Sequence, residues 1–431
     1  MTRLHRRAFA QGLAAFVGSA AARPSSAALE AVLSPPGGPS MAAAGVIARR
    51  GDGKVVFRAT AGQAFGPAGP GPFGFDQPFR VASVSKMVAT SVLLTLGPHL
   101  DLKLDNDASN YLGFRLRHPA WPDVAITPRM LLSHTSGLRN GKTYPVPLGH
   151  KLSEAFQPGG RHYDDGAWFG PAERRPGDWF AYADVNFALV AQVLETLSCD
   201  RFDIAMRDAL FRPMGLDIGY NWSGVSAAKR ARGCAAVHHQ DGAWVPQVDG
   251  TVLPAPKIAF TRPADQPDLD VTDYRTGENG FVLSPQGGLR LSLDDMDALA
   301  RLYAAQGVHR GKRVIARAAL ETMQRPQWTY DPARPNGETD GGLLQAYGLG
   351  CEIPNARPGP SGDAFFGPRS ADWRGHFGDA YGWITGLFWN RRTGATLVYA
   401  INGMPETDRP KAANSALTAP EEALIGPALS A

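Results

Sequence analysis

From Lys86 to Leu96 the chain reads KMVATSVLLTL, and its apolar residues fall on most sides of a helix. A helix that is apolar nearly all round offers no face to water, so it belongs in the middle of a domain. The chain must therefore build layers around this segment. Immediately before it stands Ser83-Val84-Ser85-Lys86, led in by a short strand-like Phe79-Arg80-Val81. Residues three apart share a helix face. A serine at the first turn and a lysine one turn later thus aim an amine at a hydroxyl. A serine hydroxyl is a weak nucleophile that needs a base within reach. A lysine, ordinarily near pKa 10.4, serves as that base only where burial or a neighbouring cation lowers it, and the apolar helix supplies burial. Its N-terminal N–H groups favour developing negative charge.

The pattern SxxK is weak alone, and it recurs at Ser226-Ala227-Ala228-Lys229. That copy runs into Arg230, Arg232 and Gly233 with no apolar helix behind it, so Ser226 reads as background. Two further elements carry chemistry. Tyr182-Ala183-Asp184 follows Pro176-Gly177 and precedes an amphipathic helix expected over 186–197; a phenol near a lysine cation can act as a proton shuttle. Gly375-His376-Phe377-Gly378 lies on an expected strand, where glycines let another backbone or a ligand approach closely. Taken singly, Tyr182 also reads as a core tyrosine and His376 as a solvent-facing strand residue.

Around these elements the pattern is α+β. Ala44–Ala48 and Val55–Ala59 flank Gly51-Asp52-Gly53, a hairpin signal. The Gly/Pro-rich stretch 62–78 reads as loop. A helix is expected near Leu293, with Ser292 as N-cap and Asp295 in its first turn. Strands are expected at 347–351, 373–377, 383–389 and 396–401, with a turn at 390–394. Strands at both chain ends around a mainly helical centre predict one sheet built from both termini. We divide the chain into a leader (1–22) and a single catalytic domain (29–431). The domain comprises a sheet subdomain (about 29–97 and 290–431) and a helical subdomain (about 98–289). Long loops near 139–180 and 235–285 are expected to wall a cleft. Trp168, Trp179 and Trp244 are candidates for an apolar acyl pocket, although aromatic residues are more often core.

Together, SxxK, then YxD about a hundred residues later, then HxG in the last strands, resemble the serine-reactive penicillin-binding protein and β-lactamase family, especially its class C and esterase-like branch. Leu131-Leu132-Ser133-His134-Thr135-Ser136-Gly137-Leu138 is similar to that family's LLsHtSGL signature, and the stretch from Pro176 to Asn186 to its PGxxFxYSNxN. Pro213-Met214-Gly215-Leu216, Gly287-Gly288-Leu289 with Ser292 and Asp295, and the strand ending at Asn402 resemble further family signatures. The resemblance implies a β-lactamase/transpeptidase-like fold: an antiparallel sheet flanked by helices, with an inserted helical subdomain. It also implies that Ser83 forms an acyl-enzyme, that Lys86 activates it, and that Tyr182 shuttles protons. The N–H groups of Ser83 and Asp379 would form the oxyanion hole, with Asp184, His376, Phe377 and Gly378 supporting or binding substrate.

Two departures shape the functional expectation. The family's YxN is YxD here, and an ionised Asp184 only accepts hydrogen bonds; paired with Lys86 it could hold the amine charged, or it could orient Lys86 while Tyr182 carries the base role. The family's KTG is His-Phe-Gly, which lacks the lysine and threonine that bind a substrate carboxylate. We therefore expect an esterase or amidase acting on a small molecule or peptide. D-alanyl-D-alanine carboxypeptidase or true β-lactamase activity is less favoured. The alternatives are a non-catalytic binding protein with a retained cleft, or an acyltransferase on the same residues.

Composition excludes little else. The 431 residues, 44% hydrophobic, allow a large core, and no run of eighteen apolar residues suggests a membrane span. Arg3, Arg6 and Arg7 supply three of the four excess positive charges. The remainder is nearly neutral, which argues against a nucleic-acid partner drawn by long-range attraction. Those arginines head a signal-like segment ending at Ala20-Ala21-Ala22, with Arg6-Arg7 resembling a twin-arginine export signal, so an exported, periplasmic or secreted location is expected. Three cysteines make no disulfide framework. There is no HExxH, no zinc-type spacing and no GxSxG, so neither a metal or other cofactor nor an α/β-hydrolase is expected.

Overall fold

The computed structural model describes residues 24–35, 38–67, 69–247 and 274–430. The leader expected over 1–22 and part of the 235–285 loop lie outside the described residues. Helix α1 (Pro24–Leu33) leads into strands β1 (Ala43–Arg49), β2 (Val55–Gly66) and β3 (Gly69–Pro72). The interior helix α2 (Val84–Leu96) follows, and α3 (Val185–Ser198) lies in the central region. Helix α4 (Leu293–Ala304) returns the chain to the sheet. Strands β4 (Trp373–Ala380), β5 (Trp383–Asn390) and β6 (Thr396–Asn402) complete the sheet, and α5 (Ala419–Ser430) closes the chain.

The six strands form one antiparallel sheet in the order β4-β5-β6-β1-β2-β3. Both chain ends meet at the β6–β1 pairing, Ala43 opposite Asn402 through Arg49 opposite Thr396. This is the α+β sheet that the sequence pattern implied. Its strands are not alternately polar, because both faces are covered. Ala43 and Ile47 of β1 enter the core under α2 and α4, whereas Ala44, Val46 and Ala48 enter a second core under α1 and α5. Helix α4 packs so tightly on β1 that a Cβ at Gly45 would sit 2.4 Å from Leu293. On the same side Trp389 of β5 stacks on Tyr303 of α4, ring centroids 4.8 Å apart.

The Gly/Pro-rich stretch expected to be loop is instead partly sheet. β2 runs on to Gly66 and pairs with β3, Gln63 opposite Pro72 and Gly66 opposite Gly69. The reason is position: β3 is the sheet's edge, where a missing proline N–H leaves no ladder bond broken. The strand expected at 347–351 shrinks to Ala346–Tyr347, paired with Trp328–Thr329. The segment leading into α2 is held by a small second sheet, in which Phe79–Arg80 pairs with Leu289–Leu291, itself paired with Gly219–Tyr220.

Helix α4 starts with a reciprocal capping box. The Ser292 hydroxyl accepts from the Asp295 N–H at 3.3 Å and the Asp295 carboxylate accepts from the Ser292 N–H at 2.9 Å. Lys229 of the second SxxK also ends on this carboxylate, and Ser226 merely caps the short helix Ala227–Arg230. Ser292→Ala should remove about 1 kcal/mol of stability. A guanidinium titration should show a lower midpoint with an unchanged slope.

Candidate active site

Ser83 stands where the small sheet hands the chain to α2. Ala82 has a positive φ of 47°, a turn that brings the chain off the strand and into the helix. Ser83 itself is helical in conformation, and its hydroxyl does not cap the helix. That leaves the oxygen free for the lysine: Lys86 Nζ lies 2.9 Å from Ser83 Oγ. Ser83 is half-buried while its neighbours are buried, so the hydroxyl opens to the cleft and the amine does not. The helix start is pinned from behind, because Ser85 Oγ accepts from Leu289 N–H at 3.1 Å and Tyr220 donates to Ser85 O at 2.9 Å.

Lys86 has no exposed surface. Its nitrogen meets three acceptors: Ser83 Oγ, Gln286 O at 2.8 Å and Asp184 Oδ1 at 2.7 Å. Burial lowers its pKa below the ordinary lysine value, and the Asp184 charge opposes that fall without cancelling it. Asp in place of the family's Asn therefore works against the burial that lowers the lysine's pKa. Asp184 is held in turn by Tyr144, whose hydroxyl donates to Oδ2 at 3.1 Å and accepts from Gln286 Nε2 at 3.2 Å.

Tyr182 packs its ring 4.9 Å from Lys86 Nζ. Its buried hydroxyl makes no well-formed hydrogen bond. Burial pushes the phenol well above its usual pKa, the Asp184 charge adds to that, and the Ser83 side chain counters it in part. The ring is held from below by His134, stacked at 4.3 Å. His134 Nδ1 accepts from Ala183 N–H at 3.2 Å and faces Asn186 Nδ2 at 3.1 Å, which places the imidazole proton on Nε2. Burial and the Lys86 charge hold this histidine neutral. The Ser133–Ser136 segment is thus a scaffold for Tyr182 and α3, and Ser136 Oγ donates to Asn186 at 2.6 Å.

Strand β4 is the other wall. As the sheet edge it carries N–H groups facing away from β5. Gly375 N–H and Phe377 N–H both point to Glu352, at 3.4 Å to its carbonyl and 3.3 Å to its carboxyl. Alternation along a strand then directs the Asp379 N–H to the same free edge, and Asp379 and Ser83 line one cleft of about 220 Å³ with Tyr144, Asp184, Gln286 and Tyr381. The edge is brought to Ser83 by Gly378, where a Cβ would lie 2.2 Å from Val81 O, and by Thr385 Oγ1, which donates to the same carbonyl at 2.9 Å.

Ser83, Lys86, Tyr182, Asp184, Gly378 and Asp379 therefore converge, but His376 and Phe377 do not reach the cleft. His376 is buried between Tyr347, at 2.8 Å from Nε2, and Glu352, at 3.1 Å from Nδ1. Burial and the Lys86 charge lower its pKa to about 3, so it is neutral. The Glu352 carboxyl is raised well above the ordinary value by the same burial. Phe377 packs on Phe365 and Phe388 on the opposite face. Neither side chain lines the cleft beside Ser83. Trp168 is fully buried and also cannot line it. Sequence reasoning missed Tyr144, Gln286 and Glu352. Each is a lone polar residue in irregular chain, and only the Gly287-Gly288 turn next to Gln286 offered any signal. No trio of metal-ligating side chains converges on this cleft among the described residues. The three cysteines are free thiols.

A helix-borne serine and buried lysine beneath an antiparallel edge strand define a site of the β-lactamase-fold serine hydrolases. The chain belongs to the β-lactamase family, whose model matches residues 37–419. Penicillin-binding protein 4 of Amycolatopsis lactamdurans is 30% identical over 144 residues, 33% of this chain and 35% of that protein. The match thus spans about a third of that relative. Among solved structures, a D-stereospecific amidohydrolase from Streptomyces sp. superposes with a TM-score of 0.57 at 20% identity, covering 88% of this chain and 94% of the other. EstCE1, described as a hydrolase with promiscuous acyltransferase activity, gives 0.58 at 18% identity over 91% and 94%. These two likenesses establish the fold.

Gly378→Ala tests the edge-strand geometry. The added Cβ must push β4 from Val81 and carry the Asp379 N–H with it. With the Asp379 N–H in the oxyanion role that the family resemblance implies, losing that donor costs roughly a hundredfold in kcat, and that loss is expected with an unchanged circular dichroism spectrum.

Proposed function

We propose that this protein is a serine hydrolase that cleaves an ester or amide of a small molecule or peptide through an acyl-enzyme on Ser83. The observation that carries the proposal is the fully buried Lys86 amine 2.9 Å from the Ser83 hydroxyl, at the wall of a cleft. In this reading Ser83 Oγ attacks the substrate carbonyl and its proton passes to the neutral fraction of Lys86. The oxyanion forms between the N–H groups of Ser83 and Asp379. The leaving group departs with a proton returned from Lys86, directly or through Tyr182. Water then gives a proton to Lys86 and attacks the acyl carbon; the C–Oγ bond breaks, Ser83 Oγ takes the proton back, and the carboxylic acid leaves. Burial supports this division of labour: it favours the neutral form of the amine and equally the neutral form of the phenol. The lysine is the base, and Tyr182 acts as an O–H donor that relays protons.

The charge lining favours substrates without a recognition carboxylate. Strand β4 has no lysine or threonine at the expected place, Asp184 presents a partly exposed carboxylate, and Arg80, the cation lining the same cleft, is engaged by Gly287 O at 3.2 Å and the Tyr381 ring. Short esters and uncharged amides fit this lining better than penicillins or D-alanyl-D-alanine peptides. We also infer export, on the Arg6-Arg7 leader.

A fluorophosphonate probe should label the wild type, and the label should vanish in Ser83→Ala. A wild type that takes no label would instead mark a binding protein with a retained cleft. The same preparation should hydrolyse a short-chain nitrophenyl ester much faster than nitrocefin; the opposite order would overturn the substrate preference. Product analysis with an added alcohol separates hydrolysis from acyl transfer.

Asp184→Asn gives a signed pH test. The Asp184 charge raises the Lys86 pKa, so its removal lets that pKa fall further. The acidic limb of kcat/KM reports the free-enzyme base and should move to lower pH. A limb that stays in place would remove Lys86 from the base role.

A further inference from the structure

Three side chains in the loop that leads from the LLSHTSGL segment toward Tyr182 converge away from the cleft. His150 Nδ1 lies 2.6 Å from His162 Nε2, and Glu154 Oε2 lies 4.0 Å from the same His162 nitrogen. All three ligand-type atoms fall within 4.8 Å of one another. Their backbone is well tied. His162 N–H donates to Glu154 O at 3.2 Å, His150 O accepts from Asn279 Nδ2 at 3.0 Å, and the buried Trp168 indole donates to His162 O at 2.6 Å.

Two features make this more than a histidine pair. Two imidazole nitrogens this close must share either a proton or a cation. Glu154 Oε2 is buried and has no hydrogen-bond partner. A carboxylate oxygen stripped of water without a partner is costly unless a cation offsets it. Arg161 offsets that charge only in part: its Nε forms an ion pair with the oxygen at 3.8 Å without a hydrogen bond, and its Nη1 lies 3.2 Å from His150 Nε2 and 3.4 Å from His150 Nδ1. Arg161 is largely exposed and can swing into solvent.

We propose that His150, Glu154 and His162 form a binding site for a divalent cation of the zinc class. Two imidazoles and one carboxylate are a donor set for zinc, with a fourth position left to water. Calcium and magnesium prefer oxygen ligands in larger number. Binding displaces the shared imidazole proton and moves Arg161 off His150. The spacing H-x3-E-x7-H matches no zinc signature, which is why the sequence does not announce it. The site is structural in its effect. Thr143 is tied to Asp164 through its N–H at 2.7 Å and its hydroxyl at 2.9 Å, and the next residue, Tyr144, holds Asp184. A metal joining positions 150 and 154 to 162 therefore cross-links the loop that supports the cleft.

The test uses tag-free full-length protein, so that no added histidines compete. Equilibrium dialysis with Zn2+ should give one saturable site, and Co2+ should give the visible d–d bands of a four-coordinate nitrogen/oxygen site. His150→Ala and Glu154→Gln, both at partly exposed positions, should each weaken Zn2+ binding by about a hundredfold, the loss expected for a direct ligand given that outer-shell partners alone are worth 10–100-fold. They should leave fluorophosphonate labelling of Ser83 intact in the absence of metal. Saturable binding that neither substitution weakens, or no saturable binding at all in the correctly folded wild type, overturns the proposal. Labelling of Ser83 reads the hydrolase proposal separately, so the two can fail independently.

Discussion

The arrangement depends on removing one amine from water. Lys86 sits fully buried in a helix that the surrounding layers cover over most of its length, and that cover lowers the pKa of a group normally charged at neutral pH. The same cover dictates the rest of the neighbourhood. An ammonium with no water must find acceptors, and it has three, from its own helix turn, from the Gln286 carbonyl and from Asp184. Each acceptor belongs to a different stretch of chain, so the polar contacts of one nitrogen knit α2, the start of α3 and the segment before the small sheet into a single wall.

Asp184 makes that wall a compromise. With an uncharged partner the lysine would be more readily neutral and a better proton acceptor at low pH. With the carboxylate it is better held, and the pair resists the cost of burying a lone charge. Tyr144 and Gln286 extend the chain of hydrogen bonds outward to the cleft, where the carboxylate is partly exposed. On the opposite wall the Asp379 carboxylate is paired with both terminal nitrogens of Arg409. That wall is positioned by close contact, with a glycine against Val81 O and a threonine donating to that carbonyl. Beneath it, Glu352 and His376 form a buried pair, kept neutral by burial, that turns the strand's N–H groups in order. One wall is thus organised around the buried amine and the other around close backbone contact, and Ser83 lies between them.

Much of this was legible in the linear chain because the determining signals were local. An all-round apolar helix, an i,i+3 serine and lysine, a capping serine and hairpin turns all act within a few residues, where periodicity and conformational preference decide the outcome. Legibility failed where burial was needed. His376 and Phe377 read as supporting or substrate-binding residues from their match to the family's KTG position, but alternation and packing turn one toward Glu352 and the other toward Phe365 and Phe388. The Gly/Pro-rich segment read as loop because its composition opposes a central strand, and it became an edge strand because no neighbour demanded its missing donors.

The sequence by itself determined that a serine and a lysine would share a helix turn, that this helix would be interior, and that both chain ends would contribute strands to one sheet. These follow from spacing and hydrophobic pattern, which need no distant partner. The tertiary structure alone decided which polar groups the buried amine meets, which strand N–H faces the serine, and that His150, Glu154 and His162 converge. Those outcomes depend on residues far apart in sequence brought within a few ångströms. A linear pattern carries no distance between such residues until the core has packed.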